Sequence, residues 1–226
     1  MVSDQPIARS LQIVDFGCIR SGRVLLRQIN FQLQSGQILL LKGSNGTGKS
    51  TLLRSLAGLM TWRAGELIWC GETIPVRTPS FQQQLAYMGH HCAMSDALSG
   101  LENLRFFLNL QGVPWELPLV HPVLEQLGIA AVVHQQVGRM SQGQRRRLAL
   151  ARVMLSRRVL WLLDEPDNAL DHDGSVLLAH VLEAHVAAGG MAVVVSHRGL
   201  NFHAIPTLTL DLNAHALQRC PQEVAC

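Results

Sequence analysis

The run Gly43-Ser44-Asn45-Gly46-Thr47-Gly48-Lys49-Ser50 fits G-x-x-x-x-G-K-[ST] at every fixed position, a pattern that builds a cradle for nucleotide phosphates. Phosphate oxygens need several N–H donors at close range. Gly43, Gly46 and Gly48 let the backbone approach, and a helix opening at the end of the run points its positive N-terminus at the anion. Lys49 adds a point charge for the β- and γ-phosphates, and the Ser50 hydroxyl can ligate Mg²⁺. Ser44, Asn45, Thr47 and Thr51 complete the loop that would line the nucleotide. More than a hundred residues later, Asp164-Glu165 closes an apolar run at 159–163. A carboxylate at the C-terminal end of a parallel strand faces the crevice where ligands bind. Asp164 suits Mg²⁺, directly or through water, because hard cations take oxygen ligands. Glu165 is placed to orient or deprotonate an attacking water. Taken alone, the acidic pair reads equally well as a solvated strand end; the phosphate loop upstream favours the functional reading.

These groups need particular elements to position them. Ile38-Leu39-Leu40-Leu41 is a continuous apolar run, as a strand buried on both faces should be, and it feeds the glycine loop. Residues 50–60 then have helical spacing, which gives the strand–loop–helix setting that the loop requires. A glycine-rich turn with a chance lysine would not need that setting. Segments 11–16 and 24–33 mix apolar and polar residues with near period two and read as antiparallel strands joined by the turn Arg20-Ser21-Gly22-Arg23. Residues 66–70 and 85–88 read as further strands. From about 95 to 157 the pattern is helical: Leu101, Leu104, Phe107 and Leu108 share one face, 116–127 is a weaker helix, and Ser141 can cap a third. Residues 159–163, 191–195 and 207–210 read as strands, with a helix over 174–188 ended by Gly189-Gly190. The expected fold is α/β, a largely parallel sheet covered on both faces, with antiparallel strands at the N-terminus and a helical subdomain inserted over about 95–157. The whole chain, 1–226, reads as a single domain.

The balance of 19 basic against 16 acidic residues gives +3, too weak and too scattered for a nucleic-acid partner. No apolar stretch approaches the roughly 18 residues of a spanning helix, and the first residues lack the basic and apolar segments of a signal peptide. A cytosolic protein is expected, with any membrane part supplied by another chain. The five cysteines form no C-x-x-C pair, so reduced thiols are expected rather than a disulfide framework or a zinc site.

In order, the phosphate loop, Met140-Ser141-Gln142-Gly143-Gln144, Leu163-Asp164-Glu165-Pro166, Asn168-Ala169-Leu170-Asp171 and Val195-Ser196-His197 resemble the ATP-binding subunits of ABC transporters, through nearly the whole chain. The resemblance implies a P-loop ATPase using ATP and Mg²⁺, working as a homodimer that sandwiches two ATP molecules head to tail. Residues 140–144 match the family's LSGGQ signature, with Met for Leu and Gln142 for the first Gly. In the family this segment contacts the γ-phosphate of ATP held by the opposite subunit, a role that would fall to Ser141, Gly143 and Gln144. Ser141 can serve as helix cap and anion contact together. Arg145, Arg146 and Arg147 read as a solvated or packing face rather than as ligands. Residues 168–171 match the loop that crosses the dimer interface, and His197 matches the switch histidine that senses the γ-phosphate.

Two positions depart from the family pattern. A glutamine that ligates Mg²⁺ usually follows the strand read at 85–88, where this chain has Gly89-His90-His91-Cys92; His91 is the reading for that slot. Adjacent residues of an extended segment face opposite ways, which argues against a transition-metal cluster there. The aromatic that usually stacks on adenine is absent near Ile19-Arg20-Ser21, where the guanidinium of Arg20 could stack instead. Finally, Cys18-Ile19-Arg20, Gly43-Ser44-Asn45-Gly46, Tyr87-Met88-Gly89-His90 and Leu101-Glu102-Asn103-Leu104 are similar to the CcmA family, the ATPase subunits of the cytochrome c maturation system, usually called heme exporters. That similarity implies a CcmB-like integral membrane subunit, CcmC-like and CcmE-like components, and a peripheral place on the cytoplasmic face of the bacterial inner membrane. The alternatives are an ABC subunit for another cargo, such as a lipid or peptide, and an ABC ATPase outside transport.

Overall fold

The computed structural model describes residues 9–20, 23–62, 64–196, 199–200, 202 and 205–215. Two sheets and the helices around them make up the architecture. Strands β1 (Ser10–Arg20), β2 (Arg23–Gln34), β4 (Ala64–Trp69) and β5 (Glu72–Ile74) form an antiparallel sheet in the order β2-β1-β4-β5. Strands β3 (Ile38–Lys42), β6 (Leu85–Met88), β7 (Leu160–Asp164), β8 (Met191–Val195) and β9 (Thr207–Asp211) form a parallel sheet in the order β6-β7-β8-β3-β9. Helix α1 (Lys49–Leu56) follows β3, and the four-residue α2 (Pro79–Gln82) precedes β6. Between β6 and β7 run α3 (Gly100–Leu110), α4 (Leu117–Gln126) and α5 (Gln142–Leu155); α6 (His172–Ala187) links β7 to β8.

The apolar runs read from the sequence are explained by their two-sided burial. Along β7, Leu160 and Leu162 pack into the core shared with α1 and the antiparallel sheet, whereas Trp161 and Leu163 pack under the helices on the other face. Strand β8 divides in the same way, Met191, Val193 and Val195 to one side and Ala192 and Val194 to the other. Side chains alternate along a strand, so two apolar faces require an unbroken apolar run. This places the C-terminal ends of β3, β7 and β8 side by side at one edge, the edge where an open α/β sheet binds its ligands.

Some boundaries differ from the reading of the sequence. Helix α1 stops at Leu56 rather than continuing to residue 60, because Gly58 has φ 72° and turns the chain away. Strand β5 and helix α2 were not anticipated. The first is three residues long, and the second is set by Pro79 at its first position after Thr78, too little sequence to show a period. The turn at Ser21-Gly22 lies outside the described residues.

Candidate ATP site

The glycine loop lies between β3 and α1, as its motif requires. Gly43 has φ 143° and Gly48, the N-cap of α1, has φ 105°. A Cβ on Gly43 would come within 2.7 Å of Thr47 Oγ1, and one on Gly48 within 3.0 Å of the Leu26 side chain. Both positions therefore demand glycine for conformation and for space. Thr47 Oγ1 donates to the Ser44 carbonyl (2.9 Å), and Asn213 Oδ1 accepts from the Ser44 N–H (3.0 Å). The loop is thus braced from both sides while the first-turn N–H groups of α1 have no partners within the helix. Lys49 folds back over it, its Nζ donating to the carbonyls of Gly43 (2.7 Å) and Ser44 (3.0 Å). Burial pulls the Lys49 ammonium below its ordinary range, opposed by the charges of Glu165 and Asp164. An open cleft of about 540 Å³ runs along the loop, lined by Asn45, Lys49, Ser50, Thr51, Arg54 and Glu165 among others.

Of the acidic pair at the end of β7, Glu165 lines this cleft. Asp164 is wholly buried, and its Oδ1 accepts from the Ser50 hydroxyl at 2.9 Å. Its Oδ2 is buried with no hydrogen-bond partner among the described residues. Burial raises the Asp164 pKa; the Ser50 hydrogen bond works the other way, and the neighbouring Glu165 adds to the rise. An orphaned carboxylate oxygen next to a serine hydroxyl is a hard-oxygen donor set of the kind Mg²⁺ takes, so Ser50 and Asp164 fit that ion. Because the folded-state pKa lies above the unfolded one, the contribution of Asp164 to stability is present at low pH and lost as pH rises through the raised value. Asp164→Asn should therefore raise the melting temperature of the nucleotide-free chain at pH 7 by roughly 2–6 °C, from about 1–2 kcal/mol of removed burial penalty. The same variant should lose the extra stabilisation by Mg-ATP seen in the parent. Thermal melts with and without Mg-ATP test both halves; a lower nucleotide-free melting temperature would mean the charge is compensated in the fold.

Glu165 has φ 53°, a left-handed conformation costing a non-glycine residue about 1–3 kcal/mol. Its N–H donates to Val195 O (2.9 Å), and its Oε2 lies 3.3 Å from His90 Nδ1. The structure thus brings His90 to the acidic pair. His91 is exposed and packs edge-on against the His90 ring, with centroids 5.3 Å apart. Ser141 caps α5 in a reciprocal box: its Oγ accepts from Gln144 N (3.2 Å), and Gln144 Oε1 accepts from Ser141 N (2.9 Å). Gly143 lies against the Ala169 carbonyl, where a Cβ would stand 3.1 Å away. Neither Ser141 nor Gly143 is among the described residues lining the cleft. Asp171 caps α6 by accepting from Gly174 N (2.8 Å) and also takes Arg147 Nη2 (3.3 Å). His197 and the side chain of Arg20 lie outside the described residues.

Three contributors escaped the sequence reading. Arg146 is buried at 4% exposure and grips carbonyls around the acidic pair; its helical phase with Ala149, Leu150 and Val153 was the available signal. His90, which the sequence does not distinguish from a loop residue, lies against Glu165. Asp167, also buried, accepts from the Ser196 hydroxyl (2.7 Å), tying the turn after β7 to the end of β8; no local pattern marks that pair.

A phosphate loop at the end of one buried strand, an acidic pair at the end of another and a serine-capped signature helix define an ABC-type ATPase. The ABC transporter family model matches residues 26–168. An ATP-binding protein of an ABC transporter from Pyrococcus furiosus superposes with a TM-score of 0.80 at 22% identity, covering 92% of this chain and all of the other. The chain is 47% identical to the cytochrome c biogenesis ATP-binding export protein CcmA of Bordetella bronchiseptica, over 87% of each chain. It is 40% identical to the protein of the same name from Albidiferax ferrireducens, over 91% of this chain and 98% of the other. The chain belongs to the ABC transporter ATP-binding family and, within it, to the CcmA group; it binds and hydrolyses ATP.

Proposed function

We propose that this ATPase drives a membrane complex of cytochrome c biogenesis, either exporting heme or releasing it onto a carrier protein. The observation that carries this reading is the identity of 40–47% to CcmA proteins over 87–91% of the chain. In this reading two copies close head to tail. Residues 43–51, Asp164 and Glu165 of one copy hold ATP and Mg²⁺, while Ser141, Gly143 and Gln144 of the other copy meet the γ-phosphate. Mg²⁺, when bound, would supply positive charge to neutralise the phosphates, and Ser50 and Asp164 would hold it. Glu165 accepts the proton of the attacking water, and His197 senses the γ-phosphate. The 3.3 Å approach to Glu165 favours His90 over His91 for the place the family gives to glutamine. Arg20 remains the candidate to stack on adenine.

No helix of the described residues is long and apolar enough to cross a membrane, so the reading needs an integral, CcmB-like partner, with CcmC-like and CcmE-like components beside it. A largely apolar groove of about 310 Å³ between β6 and α3, lined by Tyr87, Met94, Phe106, Phe107 and Leu110, supports docking of such a partner on the helical subdomain of about 95–157. Phe106 and Leu110 are 66% and 75% exposed there, which is costly for a surface that stays in water. The ATPase would then sit on the cytoplasmic face of the inner membrane. To test this, the complex is isolated from solubilised membranes and its integral subunit identified, and c-type cytochromes are measured in cells carrying Lys49→Ala. The expected result is loss of c-type cytochromes with a heme-handling partner. Normal cytochrome levels beside a dead ATPase, or a lipid or peptide transporter as the partner, would overturn it.

A further inference from the structure

Arg146 makes contacts that its place in a run of three surface-type residues does not foreshadow. Its Nη2 donates to the carbonyls of Asp164 (2.6 Å) and Glu165, and its Nε donates to that of Pro166 (3.3 Å). Three consecutive carbonyls of the turn that carries the acidic pair therefore converge on one guanidinium. The other arm, Nη1, donates to Gly89 O (3.0 Å) and His90 O (3.2 Å). Among the described residues no carboxylate pairs with Arg146 at salt-bridge distance, so carbonyl dipoles balance its buried charge. Such a group is expensive to bury and adds little to stability compared with an apolar side chain of equal volume. What it adds is geometry. A planar fork with five N–H donors can hold two separate loops in a set relation, which a point charge cannot.

We propose that Arg146 is a positioning residue for ATP hydrolysis: it holds Glu165 in its left-handed turn and keeps the loop bearing His90 in register with it. Five carbonyls facing one another would repel; the guanidinium turns that repulsion into a closed clamp. Arg146 also lies two residues beyond the end of the capping box of α5. A displacement of the signature segment is therefore carried along one rigid helix to the backbone of Glu165. Arg152, on the same helix, donates through Nη1 to Cys92 O (3.1 Å) and Ala93 O (3.3 Å). It continues the grip on the loop after β6 without touching the acidic turn.

The inference rests on Glu165 as the base, a role tested separately by substituting Glu165 itself. The experiment compares Arg146→Ala and Arg146→Lys in the intact chain assembled with its membrane subunit. ATP affinity, kcat, KM and thermal melts are measured for each. Arg146→Ala is expected to lower kcat at least 30-fold with KM for ATP changed less than threefold, because the glycine loop and Lys49 are untouched. Methylguanidinium should restore kcat severalfold in that variant, whereas methylammonium should not. Arg146→Lys, which keeps the charge on a slightly shorter stem, should fold and still lose at least tenfold in kcat, since one ammonium cannot span both loops. Wild-type kcat in folded Lys or Ala variants would overturn the proposal. So would equal losses in kcat and ATP affinity that track the melting temperature and resist rescue, since that pattern describes a support of the fold alone. Should Arg146→Ala not fold, the Lys variant and its kcat-to-KM split decide the matter.

Discussion

Glu165→Gln is expected to bind ATP normally, to hydrolyse it about 10³-fold more slowly, and to accumulate as an ATP-bound dimer. The substitution keeps size and shape but removes the ability to take a proton, and general-base catalysis contributes roughly 10²–10⁴ to rate. The structure makes this a clean test. The Glu165 backbone is held by Val195 O and by Arg146, contacts that a glutamine keeps, so the loss belongs to the carboxylate. Single-turnover hydrolysis measures the chemical step, and size-exclusion chromatography with ATP and Mg²⁺ measures the dimer. Turnover within threefold of the parent would remove Glu165 from the role of base.

The second large effect concerns the division of one site between two copies. Lys49→Ala and Ser141→Arg should each abolish hydrolysis when both subunits of a dimer carry the change. In a head-to-tail dimer, combining a Lys49→Ala subunit with a Ser141→Arg subunit leaves one site with both defects and the other intact. Hydrolysis in such a mixed dimer should recover to a substantial fraction of the parent rate. A subunit bearing both changes, paired with a normal one, spoils both sites and should remain inactive. The expectation follows from the proposed dimer: Ser141 caps α5 and is not among the described residues lining the cleft with Lys49 and Ser50, so each site would take its serine from the other copy. Covalently linked dimers assayed for ATP hydrolysis give the answer. Equal inactivity of the two mixed arrangements would rule out the shared site.

The phosphate loop and its setting were legible in the sequence because every part is local. Buried strand, glycine turn and helix start follow one another within residues 38–56, and Gly43 and Gly48 are required by backbone angles that only the loop itself sets. The inner strands β7 and β8 were legible too, since burial on both faces writes an unbroken apolar run. The cap at Ser141 was legible as a serine just ahead of a helical run. Choosing between His90 and His91 was beyond the same reasoning. In an irregular loop no period assigns a facing, and the choice depends on where β6 ends against β7.

What the sequence by itself determined, then, is a nucleotide loop, an acidic strand end, a capped signature helix and the order of the elements between them. Each is short-range chemistry that propensity and periodicity can express. Only the tertiary structure decided which groups meet. It brings Ser50 to Asp164 across 114 positions of the chain, leaves one oxygen of that carboxylate without a partner among the described residues, and sets His90 against Glu165. It also makes the middle arginine of a run read as a solvated or packing face into a buried clamp on five carbonyls. Those contacts depend on strand order and on the angle at which α5 meets the sheet, quantities set by packing the whole core and written in no local stretch of residues.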